Sequence, residues 1–251
     1  MSASILTPAR IQALAKFPHL QHTWHFIAAA TLSVCNEPGE IPQLYTHVLN
    51  SIAPNAVAAA APAAAAAATP SSTEEAPISE RLHVTQQFRE ALLKAAALAG
   101  LPRTINSLTQ LKNVTPVELR ETRVLRPVHA PPPVAGGPAE VGADFFSKVY
   151  GKITKRVLGQ LSTAYPDLGW YTIDHVYDPL LSFTGVLSAK ETSLVVIACL
   201  IPQDVNPQLK GHLKGALNNG ATPEEVGSAR DMAILISEWC GIKWKNPVAK
   251  L

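Results

Sequence analysis

The stretch from Asn206 to Val226 constrains this chain more than any other. Asn206 reads as an N-cap and Pro207 as the first helical residue, where a missing N–H costs nothing. Leu209, Leu213, Ala216 and Leu217 recur at helical spacing and form one apolar face. Asn219-Gly220 closes that helix with residues that tolerate left-handed backbone. Thr222 then caps a second helix, Pro223 starts it, and Glu225 completes a capping box. The prediction is a helix, a tight corner and a second helix, with His212 near the middle of the first.

A second copy of this pattern stands earlier in the chain. Ile41-Pro42-Gln43-Leu44-Tyr45-Thr46-His47 matches Asn206-Pro207-Gln208-Leu209-Lys210-Gly211-His212. An apolar, Ala-containing segment precedes each, 24–35 in one half and 191–201 in the other. Arg89-Glu90 stands eleven residues before Gly100, as Arg230-Asp231 does before Gly241. Three landmarks in one order indicate an internal duplication, with too few copies for a solenoid. Segment 24–35 is then a core helix; it is too short to span a bilayer and too late for a signal peptide.

Residues 2–16 read as a helix with Ile5, Ile11, Leu14 and Ala15 inward. The segment 53–77 is built of Ala, Pro, Ser and Thr, with Pro54, Pro62, Pro70 and Pro77 interrupting any helix, and reads as a disordered surface insertion. Ser79 caps a long helix that stops at Gly100, and Thr115-Pro116-Val117-Glu118 opens another with its own capping box. Residues 126–139 form a Pro/Gly linker. Phe145, Phe146, Val149, Ile153, Val157 and Leu161 mark an amphipathic helix, Asp174 to Leu187 another, and Ser188 with Glu191 caps the helix to Ile201. No segment carries strand alternation. The expected fold is all-α: a degenerate N-terminal half (1–125), the linker, a C-terminal half (140–248) and a tail (249–251), the halves packed as an intrachain pseudo-dimer.

The run Gly211-His212 and Ala216 to Glu225, with Glu191 to Ala198 before it, resembles the carboxymuconolactone decarboxylase-like family, which shares its all-α fold with the alkylhydroperoxidase D-like proteins. The resemblance covers about residues 186–243. It implies assembly through helical faces into a homo-oligomer, and one of two chemistries. Peroxidase members use a CxxC dithiol followed by histidine. Here Val205-Asn206-Pro207-Gln208 and Glu40-Ile41-Pro42-Gln43 occupy that place without a thiol, which weighs against peroxidase activity. Decarboxylation of a small carboxylated lactone or acid needs only oxyanion stabilisation and a proton, so neither metal nor organic cofactor is expected. His212 is the candidate proton donor or oxyanion partner, Glu191 could orient it, and Lys210 or Arg230 could hold a carboxylate. His47 and Arg89 are the counterparts in the first half. Each has a plainer reading: Glu191 as a capping residue, the histidines as core hydrogen-bonders, the arginines as ion-pair residues. A helical scaffold that has lost the chemistry is the alternative.

With acids and bases interspersed and a net charge of +2, nothing argues for nucleic acid. Cys35, Cys199 and Cys240 make no metal spacing and read as small core residues; His19, His22 and His25 lack a completing ligand, so no metal site is expected. Trp239 and Trp244 read as packing between the halves. The final Ala249-Lys250-Leu251 is a close variant of the Ser-Lys-Leu address, with Pro247 expected to free the tail for the peroxisomal import receptor. The expected location is the peroxisomal matrix, with cytoplasm or mitochondrion as alternatives.

Overall fold

The computed structural model describes residues 4–52, 75–126 and 140–251. The insertion read over 53–77 falls outside these except for its last three residues, and the linker read over 126–139 except for Arg126. The described residues are helical, with no strand among them.

Thr7 accepts a hydrogen bond from the Arg10 N–H and Pro8 opens α1 (Pro8–Ala15), so the helix starts later than the sequence pattern suggested. Upstream, Glu40 holds the chain extended, accepting from the N–H groups of Ile5 and Leu6, both at 2.9 Å. Every residue of α2 (Trp24–Val34) is buried, which confirms a core helix. Then come α3 (Ile41–Ser51), α4 (Glu75–Ala99) and α5 (Leu101–Val114). Helix α4 begins upstream of Ser79, its expected cap; a first turn needs no i−4 acceptor, so the earlier start costs nothing. Gly100 ends it at φ +86. Thr115 forms no capping box: its hydroxyl donates to Leu111 O at 2.7 Å and closes α5.

In the second part, α6 (Glu140–Tyr150) and α7 (Thr154–Ala164) replace the single helix expected through Leu161. Gly151, at φ +53, breaks it. After α8 (Pro166–Tyr171) the chain winds from Thr172 to Leu181, interrupted where Asp178 turns extended ahead of Pro179. A proline disfavours helical backbone in the residue before it, which is why 174–187 is not one regular helix. The last helices are α9 (Ala189–Leu200), α10 (Asn206–Asn218) and α11 (Pro223–Trp239). The Ser188/Glu191 and Thr222/Glu225 capping boxes form as expected, and Gly220 takes φ +94 at the corner.

The core lies where α2 and α9 pack against one another, with α4 and α11 each packed on both. Around this centre α3 and α10, the helices whose sequences match, have different neighbours: α3 packs on α5, whereas α10 packs on α6. Lys94 on α4 is fully buried and donates to the carbonyls of Leu181 (2.9 Å) and Phe183 (2.7 Å), while Glu90 pairs with Arg126 at 2.6 Å. This polar node joins α4 to the segment ahead of α9. Burial pushes the Lys94 ammonium down to about 8, partly offset by Glu90. Trp239 meets α1 through the Arg10 guanidinium, 4.6 Å above its ring, whereas Trp244 donates to Ile201 O within the second half.

Candidate functional site

Two glycines one turn apart on α10 bring it against α6. A Cβ on Gly215 would stand 2.6 Å from Val149 Cγ1, and one on Gly211 would stand 3.3 Å from Tyr150 Cε1. Asn218 fastens the pair by donating to Val149 O at 3.0 Å. This close approach sets His212 beside Tyr150, with Nε2 3.4 Å from the phenol oxygen and the rings edge-on at 5.8 Å. Behind Tyr150 lies Tyr177, from the wound segment, its hydroxyl beside that of Tyr150 but without a well-aligned acceptor. Phe146 packs against both tyrosines.

The three groups are held uncharged. Desolvation pushes His212 down to about 4, so its imidazole is neutral at physiological pH. Desolvation raises the Tyr150 phenol, and raises that of Tyr177 further, because a second phenolate would face the first. The arrangement is a short chain of neutral donor and acceptor groups. It can offer N–H or O–H hydrogen bonds to a developing oxyanion without carrying a charge of its own.

The other sequence-derived candidates fall elsewhere. Glu191 spends its Oε2 on the Ser188 N–H and hydroxyl, at 2.8 and 2.7 Å. Lys210 is exposed, two residues from His212 and so on a different face of α10. His47 is half-buried on α3, and its side chain makes no hydrogen bond to a described residue. The first half instead buries His25, whose Nε2 lies 3.1 Å from Gln87 Oε1. Arg89 donates to Leu119 O and pairs with Glu121 at 3.2 Å, in the wall of a cavity of about 460 Å³ that also includes Arg120, Arg123 and Arg126. A second cavity, about 580 Å³, is lined by Asp144, Phe145 and Lys148 among others. His212 lines neither.

Arg230 and Asn206 grip the C-terminal tail. The Arg230 guanidinium donates to Ala249 O (2.7 Å) and Val248 O (2.8 Å). Asn206 accepts from the Ala249 N–H at 2.8 Å and donates to Pro247 O at 3.2 Å. Asn206 therefore does not cap α10, whose cap position falls on Val205. Nor does Pro247 detach the tail: Ala249 is buried, and exposure begins at Lys250 and Leu251. Backbone carbonyls and the Asn206 amide satisfy one another here better than a local cap would.

Tyr150 and Tyr177 escaped the sequence reading because both lie on apolar helix faces, far from His212 in the chain. The Gly211/Gly215 spacing was the available clue, since small residues one turn apart mark a close helix contact.

The model of the carboxymuconolactone decarboxylase family matches residues 166–250. Along nearly its whole length the chain is similar to Peroxisomal protein 2 of Saccharomyces cerevisiae, with 41% identity covering 98% of this chain and 99% of the relative. Peroxisomal protein 2 of Schizosaccharomyces pombe is 35% identical, over 90% of this chain and 91% of its own. No solved structure matches.

Proposed function

Because this chain belongs to the carboxymuconolactone decarboxylase-like family, we propose that it is a cofactor-free decarboxylase of a small carboxylated lactone or related acid, with His212 in the site. The observation that carries this reading is the half-buried, neutral His212 joined to the Tyr150 hydroxyl. As the C–CO₂⁻ bond breaks, its electron pair enters the substrate's conjugated carbonyl and leaves an enolate. A neutral imidazole N–H is suited to the enolate oxygen, while an imidazolium acid would be scarce near pH 7. That favours His212 as oxyanion partner over proton donor, and leaves the Tyr150 hydroxyl, 3.4 Å from His212 Nε2, as the proton donor. Of the two expected carboxylate partners, Arg230 is occupied by the tail and Lys210 stands on a different face of α10 from His212. Glu191 keeps its capping role and acts on His212 only through the placement of α9.

Turnover of a panel of lactone acids by the purified chain tests this. His212→Ala and Tyr150→Phe should each lower kcat by roughly 10²–10³, the usual cost of one oxyanion donor. No turnover by the unmodified chain across the panel would leave the second reading, a helical scaffold. That reading is favoured by the tight contact of α10 with α6 and by the absence of His212 from both cavities.

That both yeast relatives are peroxisomal proteins by name supports a peroxisomal location, with Ala249-Lys250-Leu251 as the address and the import receptor as partner. The shared packing of α2, α4, α9 and α11 supports two related halves forming an intrachain pair, and assembly of that pair into a homo-oligomer remains part of the proposal. A fluorescent N-terminal fusion with and without Lys250-Leu251 tests the address; diffuse fluorescence from both would refute it.

A further inference from the structure

Cys35 and Cys240 end two helices that pack on one another, α2 and α11. Each is followed by a residue in left-handed backbone, Asn36 at φ +64 and Gly241 at φ +77, so both helices stop there and turn outward. Cys35 Sγ lies 4.0 Å from the Ser237 hydroxyl oxygen. Ser237 is three residues before Cys240, on the same face of α11, so the Cys240 thiol stands one turn along from the hydroxyl that Cys35 meets, close enough for each thiol to shift the ionisation of the other. Both are partly exposed, whereas Cys199 is fully buried on α9. Although 205 positions separate them in the sequence, the two thiols meet where the first half touches the second.

The surroundings distinguish the pair. The neighbouring Cys240 thiol, then Ser237 and the charge of Arg103, draw the Cys35 thiol down against the opposing effects of burial and of the Glu37 carboxylate. Arg103 is fixed nearby, donating to Val34 O at 2.6 Å. Cys240 is raised, first by Cys35 and then by burial. Arg103 stands on the Cys35 side of the pair, so that sulfur is the one favoured as thiolate for attack, with Cys240 as the resolving thiol.

We propose that Cys35 and Cys240 form a redox-active dithiol, oxidised by a hydroperoxide to a disulfide that links the two halves. The Cys35 thiolate attacks one peroxide oxygen; the O–O bond breaks, and the departing alkoxide or hydroxide takes a proton to leave as alcohol or water. Cys35 is then a sulfenic acid. The Cys240 sulfur attacks it, the S–O bond breaks, and the leaving hydroxide takes the Cys240 proton as water. The two electrons removed from the thiols reduce the peroxide. This proposal is independent of the His212 site.

The test uses the full chain, reduced and then treated with one equivalent of hydrogen peroxide. The expected product has lost the mass of two hydrogens, retains a single titratable thiol when denatured, and gives a cross-linked peptide containing Cys35 and Cys240. Dithiothreitol should restore all three thiols. Cys35→Ser and Cys240→Ser should each abolish the cross-link, while Cys199→Ser should leave it intact; circular dichroism checks that the variants fold. Oxidation to sulfinic acid without the cross-link, a disulfide containing Cys199, or unchanged thiols after treatment would each overturn the proposal.

Discussion

Acid should destabilise this fold through His25. Its side chain is 5% exposed, packed 5.2 Å from the rings of both Phe26 and Phe88, with one polar partner, Gln87. Desolvation lowers it from 6.5 to about 4; the Gln87 hydrogen bond opposes this, and His83 and His22 add to it. The folded value is thus depressed below the unfolded one. Between pH 6.5 and 4 the unfolded chain binds a proton that the folded chain does not, so stability is full above 6.5 and falls as pH drops through this window. The difference corresponds to roughly 3 kcal/mol by pH 4, a large share of the ~5–15 kcal/mol that holds an ordinary domain together. His212 acts in the same direction, discounted because it is only half-buried. Urea unfolding followed from pH 7 to 4, in the unmodified chain and in His25→Gln, separates this effect from any baseline cost of the substitution. The variant should show a shallower fall by up to ~3 kcal/mol. Parallel curves, or a folded-state imidazole of His25 titrating near 6.5 by NMR, would refute the reasoning.

Three further outcomes are expected. Arg230→Ala removes two charge-assisted hydrogen bonds from the tail, worth roughly 2–4 kcal/mol together, so the last residues should become protease-sensitive and bind the import receptor more tightly; unchanged cleavage would contradict the clamp. Lys94→Met strands the carbonyls of Leu181 and Phe183 and leaves Glu90 with Arg126 alone, which should cost about 3–5 kcal/mol in urea denaturation. Gly142→Ala places a Cβ 2.5 Å from that of Asp178 and 2.7 Å from Ile173 O, so a loss of roughly 1–3 kcal/mol is expected, seen as a lower Tm; an unchanged Tm would mean that α6 sits less closely on that segment.

The helical elements were legible because their signals are local. A cap residue, a proline at the first turn and a glutamate three residues on act within one turn of backbone, and both expected boxes in the second half form with those residues. The apolar stretch of α2 likewise declared its burial in its own composition. Where local signals competed, tertiary contacts decided. Asn206 is an excellent cap by type, yet its amide serves the backbone of the tail, which arrives from forty residues away. Pro247 was expected to free that tail, and Arg230 holds it instead.

The same division applies to the candidate site. His212 was visible as a residue on a capped helix, but its meaning depends on what stands against it. Only the close packing of α10 on α6 brings Tyr150 to its ring, and only enclosure by that packing removes the water that would let it ionise near 6.5. Spacing along the chain carried no trace of Cys35 near Cys240, because a pair made by two helices far apart in the sequence has no period to read. Sequence by itself determined which segments wind into helices and which faces of them are apolar, since both follow from neighbours within a few residues. Which polar groups meet, and which are stripped of solvent and so shifted in their chemistry, was decided by how those faces close on one another.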